Sequence, residues 1–387
     1  MIEFTGRFAR IADSTGVGGT MKNAIAVMNT KGGVGKSTMV LGLAETLSTF
    51  EGKSVLVIDS DAQASVSSML MSTAQLYELQ SNGLTLVEYL VNAVLSNQID
   101  DVKRYLVPNV SDVDDAHSVA LFPSDVQLTL FEREVSHEQR HTQLRRAIAD
   151  LLEQVRPLYD IILIDCPPGL SVLTESWLRE ADFHLTPTKP DYISSCGLEV
   201  FRRFKSLNPE MGFATNLGVV INMKDRMSPA DDEYHNWLTQ DADNRCFDIV
   251  IPRASPLQDA ARFQLDERSY PAKYPGDAGK QMRALVSEVL RRVAEEPAAE
   301  EAKPETDDTQ VSVEGEAPAE AELATDAASS EDGAELAENA TSEPSDATPV
   351  ADGAVDTPAT GTAASSDAGN TVDSGGEPAS TLRNAAE

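Results

Sequence analysis

The sequence predicts an α/β fold, a doubly wound and mostly parallel sheet of about seven strands with helices on both faces, for the stretch from Met21 to about Ala294. Three observations carry this. Short apolar runs alternate with longer stretches of helical period, the order of βαβ units. Several of the short runs are apolar almost throughout, as expected of parallel strands covered on both faces rather than half-exposed ones. The first run passes through a glycine-rich turn straight into a helix.

In order along the chain, Ala24–Asn29 is the first candidate strand and Ser37–Thr49 the helix that follows it. Ser54–Asp59 and Val119–Pro123 are the next strands. Gln143–Val155 reads as a helix because Leu144, Ile148, Leu151, Leu152 and Val155 fall on one face, with Arg145, Arg146 and Glu153 elsewhere. Ile161–Asp165, Phe183–Pro187, Leu217–Asn222 and Phe247–Ile251 complete the strands. A last helix, about Lys280–Ala294, carries Leu285, Val286, Val289, Leu290 and Val293 on one stripe. Such a stripe can pack on a core or lie on a membrane. It has no aromatic anchor and runs directly into acidic sequence that anionic lipid would repel, so core packing is expected.

Composition separates this body from its ends. Of the 387 residues, 295–387 contain no Phe, Trp, Tyr, Ile, Met or Cys, and hold 24 acidic residues against Lys303 and Arg383. That stretch therefore carries −22 of the chain's net charge of −32. It cannot bury enough apolar surface to offset the entropy of ordering, so a disordered acidic low-complexity tail is expected, as a soluble bristle or a regulatory segment. Residues 1–20 read as a flexible leader. Gly16, Gly18 and Gly19 stand just before Met21, itself an alternative start, and there is no signal-peptide run. No stretch approaches the ~20 apolar residues of a membrane span. Cys166, Cys196 and Cys246 show no metal-ligand spacing and read as reduced thiols, so a cytoplasmic location is expected.

The turn between first strand and first helix reads Lys31-Gly32-Gly33-Val34-Gly35-Lys36-Ser37-Thr38. Its glycines let successive backbone N–H groups turn inward as an anion nest, and the helix adds the positive end of its dipole. In this strand–loop–helix setting, Lys36 is expected on the β- and γ-phosphates of ATP and the Ser37 hydroxyl on Mg²⁺. Asp165 ends an apolar strand where an open sheet places its ligands, and is a second expected Mg²⁺ holder, through water.

The loop departs from the ordinary G-x-x-x-x-G-K-[ST] pattern, because Thr30 stands at its first glycine and a lysine, Lys31, follows. In this it resembles the ParA/MinD family of deviant P-loop ATPases. The resemblance covers roughly Met21 to Ala294 and implies several roles. Lys31 would cross a dimer interface to the phosphates of a second subunit's nucleotide, so that ATP joins two copies. Asp59-Ser60-Asp61-Ala62-Gln63 is similar to the family's D-x-D-P-Q switch, with alanine for proline at 62. It makes Asp61 the carboxylate that orients the attacking water and Asp59 a support of the metal shell. Tyr159–Gly169 is similar to the Walker B strand and second switch, and Ile251-Pro252-Arg253 to the adenine-contacting turn, with Asn222 as a further base contact. The expected activity is slow, partner-stimulated ATP hydrolysis.

Most family members of this layout segregate plasmids or chromosomes, which implies a centromere-binding, ParB-like partner and non-specific duplex DNA as a track. Against DNA stand Pro256, where partition ATPases commonly carry an arginine, and the acidic balance of the chain. Arg202, Arg203 and Lys205, or Lys224 and Arg226, are the candidate patches for it; both also read as solvated surface. The alternative is an orphan relative that positions a protein cargo through an adaptor. A membrane partner is not expected.

Overall fold

The computed structural model describes residues 22–296; the expected leader and all but the first two residues of the expected tail lie outside them. Seven strands form one sheet: β1 Ala24–Val27, β2 Val55–Asp59, β3 Val107–Pro108, β4 Val119–Phe122, β5 Ile161–Asp165, β6 Phe183–Thr188 and β7 Thr215–Ile221. Their order across the sheet is β3-β4-β2-β5-β1-β6-β7, parallel except for β3.

The continuous apolar runs have the expected cause. Side chains alternate across a strand, and here each alternate set enters a different core. Ile25 and Val27 of β1, Val55 and Val57 of β2, and Ile161 and Leu163 of β5 join one apolar cluster. It is closed by the helices Lys36–Glu51 and Asp277–Glu295. Ala24, Ala26, Leu56, Ile58, Ile162 and Ile164 join the other, beneath the helices Leu86–Leu95, Glu138–Val155 and Val172–Glu180. The sheet is thus covered on both faces.

The last helix packs as expected: Leu285, Val286 and Val289 are buried, and Leu290 and Val293 lie against the same core. No helix among the described residues is long and apolar enough to cross a membrane.

Two strands differ from expectation. The seventh is the short antiparallel Val107–Pro108, and Phe247–Ile251 forms none. That segment runs beside β7 with Phe247 N bonded to Val219 O at 2.9 Å and Ile251 N to Ile221 O at 2.9 Å. Its entry is held off the ladder by Arg292, whose guanidinium donates to Leu217 O at 2.6 Å, to Cys246 O at 3.0 Å and to Arg245 O. The room exists because position 218 is glycine: at φ +133°, a Cβ there would meet Arg245 O at 2.1 Å.

A buried ionic cluster ties the ends of the domain together. Lys273 Nζ lies 2.6 Å from Glu45 Oε1 and 2.5 Å from Asp112 Oδ1, and all three groups are buried. Tyr274 and Ser111 donate to Glu45, and Arg268 pairs with Asp112. Burial raises the Glu45 pKa, against the opposing pull of Lys273. Without such partners an isolated charge in this core would be prohibitive.

Candidate nucleotide site

The helix that begins at Lys36 has no side-chain cap and no acidic residue in its first turn. Other helices here are capped, Val172–Glu180 by Ser171 and Tyr192–Leu207 by Asp191. The first N–H groups of Lys36–Glu51 are therefore left for an external acceptor, and the dipole favours an anion. Gly33 (φ +72°) and Gly35 (φ +88°) hold left-handed conformations that turn the loop onto that end. At Gly35 a Cβ would also sit 2.4 Å from Asn222 Nδ2.

Three neighbouring strands bring the carboxylates to the loop. β5 lies between β1 and β2, with Asp165 in register with Val27 on one side and Asp59 on the other. Both carboxylates are fully buried. Ser67 satisfies Asp59 through its N–H at 2.9 Å and hydroxyl at 2.7 Å, and Asp61 N adds a bond at 3.2 Å. Burial still pushes Asp59 up to about 7. Both oxygens of Asp165 are buried, and burial, with Asp59 alongside, raises its pKa well above the ordinary carboxylate range, against the opposing pull of the Ser37 hydroxyl and Lys36. Burial also lowers Lys36, against the attraction of Asp165. Asp61 is held by its neighbours: Gln63 N donates to Oδ1 at 2.9 Å, and Ser124 Oγ to its carbonyl at 2.7 Å. With Ala62 in place of proline, the turn passes through a left-handed Ala64 (φ 50°) before the next helix.

The residue types fit Mg²⁺. Magnesium asks for one or two carboxylates, a hydroxyl and phosphate oxygens rather than an all-protein cage. Among the described residues no cluster of three or more His, Cys, Asp or Glu stands ready for a metal. A buried Asp165 beside Asp59, with the Ser37 hydroxyl of the adjacent helix against it, matches the smaller requirement.

Lys31 turns to its own chain. Its ammonium donates to Asp191 Oδ1 at 3.0 Å, Asp191 Oδ2 at 3.1 Å and Ser194 Oγ at 3.1 Å. Burial alone would raise the Asp191 pKa, but the Ser194 N–H and Lys31 hold it below the ordinary value. Asn222 spends an amide hydrogen on Val34 O at 2.8 Å, linking the end of β7 to the loop. Pro252 bridges to Lys224, and Arg253 N donates to Lys224 O at 2.9 Å; the Arg253 side chain is exposed.

Several contributors were not singled out in the sequence. Asn29 accepts from Lys31 N at 2.8 Å and donates to Pro187 O at 2.8 Å, fixing the start of the loop to β6. Trp177 Nε1 donates to Ser60 Oγ at 2.6 Å, connecting the helix after the second switch to the first. Gly32 lies against Pro168, 4.0 Å from where a Cβ would stand. The candidate DNA patch on the helix Tyr192–Leu207 is depleted. Arg202 pairs with Asp241 at 2.7 Å, Lys205 turns to His184, and only Arg203 of the three is exposed. Lys224 pairs with Asp232 at 2.6 Å, leaving Arg226 exposed.

A family described as an AAA domain matches residues 22–211. The chain is 28% identical over 275 residues to the chromosome-partitioning ATPase Soj of Treponema pallidum, covering 70% of this chain and 98% of that one. It is 28% identical over 275 residues to the chromosome partitioning protein ParA of Caulobacter vibrioides, covering 69% and 94%. Among solved structures it resembles apo McdA of Cyanothece with a TM-score of 0.56 and 18% identity, over 70% of this chain and 99% of that one, a likeness of fold.

Proposed function

Because the chain belongs to the ParA/MinD-type family of P-loop ATPases, we propose that it is a Mg-ATP hydrolase whose turnover times its own association, and that it partitions plasmid or chromosomal DNA. In this reading residues 21–294 are the ATPase domain, with residues 1–20 as a leader and 295–387 as an acidic tail. The partners are a second copy, a ParB-like or adaptor protein, and duplex DNA.

One observation carries the reading: an uncapped helix start behind a glycine loop, with the buried Lys36 beside the buried carboxylates Asp165 and Asp59. An anion would meet the uncapped N–H groups of that helix start, and a divalent cation would meet a carboxylate that has only Ser37 and Lys36 to offset its burial. Lys36 holds the β- and γ-phosphates, and Ser37, Asp59 and Asp165 hold Mg²⁺, which neutralises charge on the phosphates. Asp61, fixed by Gln63 and Ser124, orients water. Gly32, Gly33, Val34, Gly35 and Thr38 complete the cradle, and Asn222, Pro252 and Arg253 receive the base. Lys31 serves the second copy's nucleotide after leaving Asp191. A cation supplied in trans is worth about 10³–10⁵ in phosphoryl-transfer rate, which would tie hydrolysis to association.

A second reading, an ATPase that positions a protein cargo, is supported by the internal pairing of Arg202 and Lys224, the inward turn of Lys205 and the proline at 256. All of these reduce the charge on offer to DNA phosphates.

The test is Asp61→Ala. The variant should bind Mg-ATP with parental affinity, lose hydrolysis by about 10²-fold or more, and accumulate as a dimer in size-exclusion chromatography with ATP. Hydrolysis at the parental rate, or a monomer with ATP bound, would overturn the switch.

A further inference from the structure

β2 ends at Asp59, but its side chains go on alternating as far as Ala62. Val55 and Val57 enter the core shared with the helix Lys36–Glu51. Asp59 and Asp61 follow on that side, where the charge of Asp61 acts on both Lys36 and Asp165. Leu56, Ile58 and Ala62 pack on the opposite side, in the cluster that holds Trp177 of the helix Val172–Glu180. Ser60 belongs to this second set. Trp177 Nε1 donates to its hydroxyl at 2.6 Å, and both residues are fully buried.

Past Asp59 the segment is tied to β5 by Ser60 N, which donates to Asp165 O at 3.0 Å. Asp61 N already turns back to Asp59 Oδ1 at 3.2 Å, within the segment itself. A rotation of the chain at Ser60 would therefore carry Asp61 off the nucleotide side, because successive side chains point opposite ways. Gln63 and Ser124 hold Asp61 itself, and Trp177 holds the residue before it. A buried indole N–H takes an acceptor as a rule. What sets this one apart is the position of its acceptor, between two carboxylates that must face the other way.

We propose that Trp177 is a positioning residue for hydrolysis: by holding Ser60 on the helix side of the sheet, it keeps Asp61 on the nucleotide side. This rests on the reading that Asp61 orients the attacking water. It also gives the second switch a hold on the first. The helix that carries Trp177 follows the Asp165–Gly169 segment directly, with Ser171 as its cap. A shift of that segment with the state of the nucleotide would be passed to Ser60 by the indole.

The experiment is hydrolysis over a range of Mg-ATP by the full chain carrying Ser60→Ala, Trp177→Phe or both, beside Asp61→Ala, with rates counted per mole of protein that binds nucleotide. Misplacing a reacting group by about 1 Å costs up to about 10²-fold. Ser60→Ala should lower kcat and kcat/KM together by about ten-fold and leave KM unchanged, the mark of an interaction made only in the transition state. Trp177→Phe should do the same, and the double variant should lose no more than either, since both remove one bond. Ser60→Ala leaves the indole N–H buried and unpaired; the double variant does not, so it carries the measurement if the single one unfolds. Parental kcat in these variants, a loss confined to KM, or losses that multiply in the double variant would each overturn the proposal and leave the role of Asp61 standing. Parental hydrolysis by Asp61→Ala would remove that role and the proposal with it.

Discussion

The Lys31 ammonium is held by both oxygens of Asp191, so it can reach a phosphate on another chain only by breaking that contact. The pair is partly exposed, with side-chain accessibilities of 26% and 41%, which limits its worth to at most about 1 kcal/mol. Asp191→Asn keeps a good helix cap while removing the charge. It should tighten ATP-dependent dimerisation by up to about five-fold for each Lys31 released, and so by up to about 25-fold for two copies, measured by sedimentation equilibrium; unchanged or weaker dimerisation would show that the contact does not compete. The loop itself was legible because its glycines and lysines are consecutive and their strand–helix setting is local. Asp191 was not: it lies 160 residues from Lys31, and in sequence it is only an aspartate before a helix. Asn29, Ser60 and Trp177 escaped for the same reason, since a hydrogen bond between distant segments leaves no periodic trace.

Between elements, the contact with the sharpest consequence joins the helix Lys36–Glu51 to Lys273. Lys273→Ala would leave Glu45 and Asp112 buried without their shared cation. Removing one partner of such a set costs about 3–5 kcal/mol. Urea titration should show that loss with an unchanged slope; a loss below about 1 kcal/mol would mean that water or a neighbour replaces the ammonium. The pattern of elements was read well where burial on both faces dictates an apolar run, as in β2 and β5. It failed at Phe247–Ile251, which is apolar enough for a strand. What decides there is Arg292 at the carbonyls of Leu217, Arg245 and Cys246, and a Gly218 that leaves it space. It failed at Val107–Pro108 for the opposite reason: two residues are too few to show a period, and Pro108 argues against a strand except at an edge.

For the whole molecule, charge decides between the two readings of its cargo. Non-specific DNA binding is largely phosphate neutralisation and weakens steeply between about 50 and about 200 mM salt. If the chain holds DNA, binding should require ATP and strengthen when residues 297–387 are deleted, because their acidic residues compete for the same cations. A titration of full-length and shortened protein at both salts measures this; no ATP-dependent binding at the lower salt, even in the shortened chain, would leave the protein-cargo reading. The same global view gives the buried cluster a meaning in time. Glu45 and Lys273 are 228 residues apart. At about 5–20 residues per second on the ribosome, roughly ten to fifty seconds pass between the synthesis of one and the other. Through that interval the emerging chain carries the glycine loop and its helix but lacks the cation that lets Glu45 enter the core. Closure of this half of the domain therefore waits for nearly the last helix.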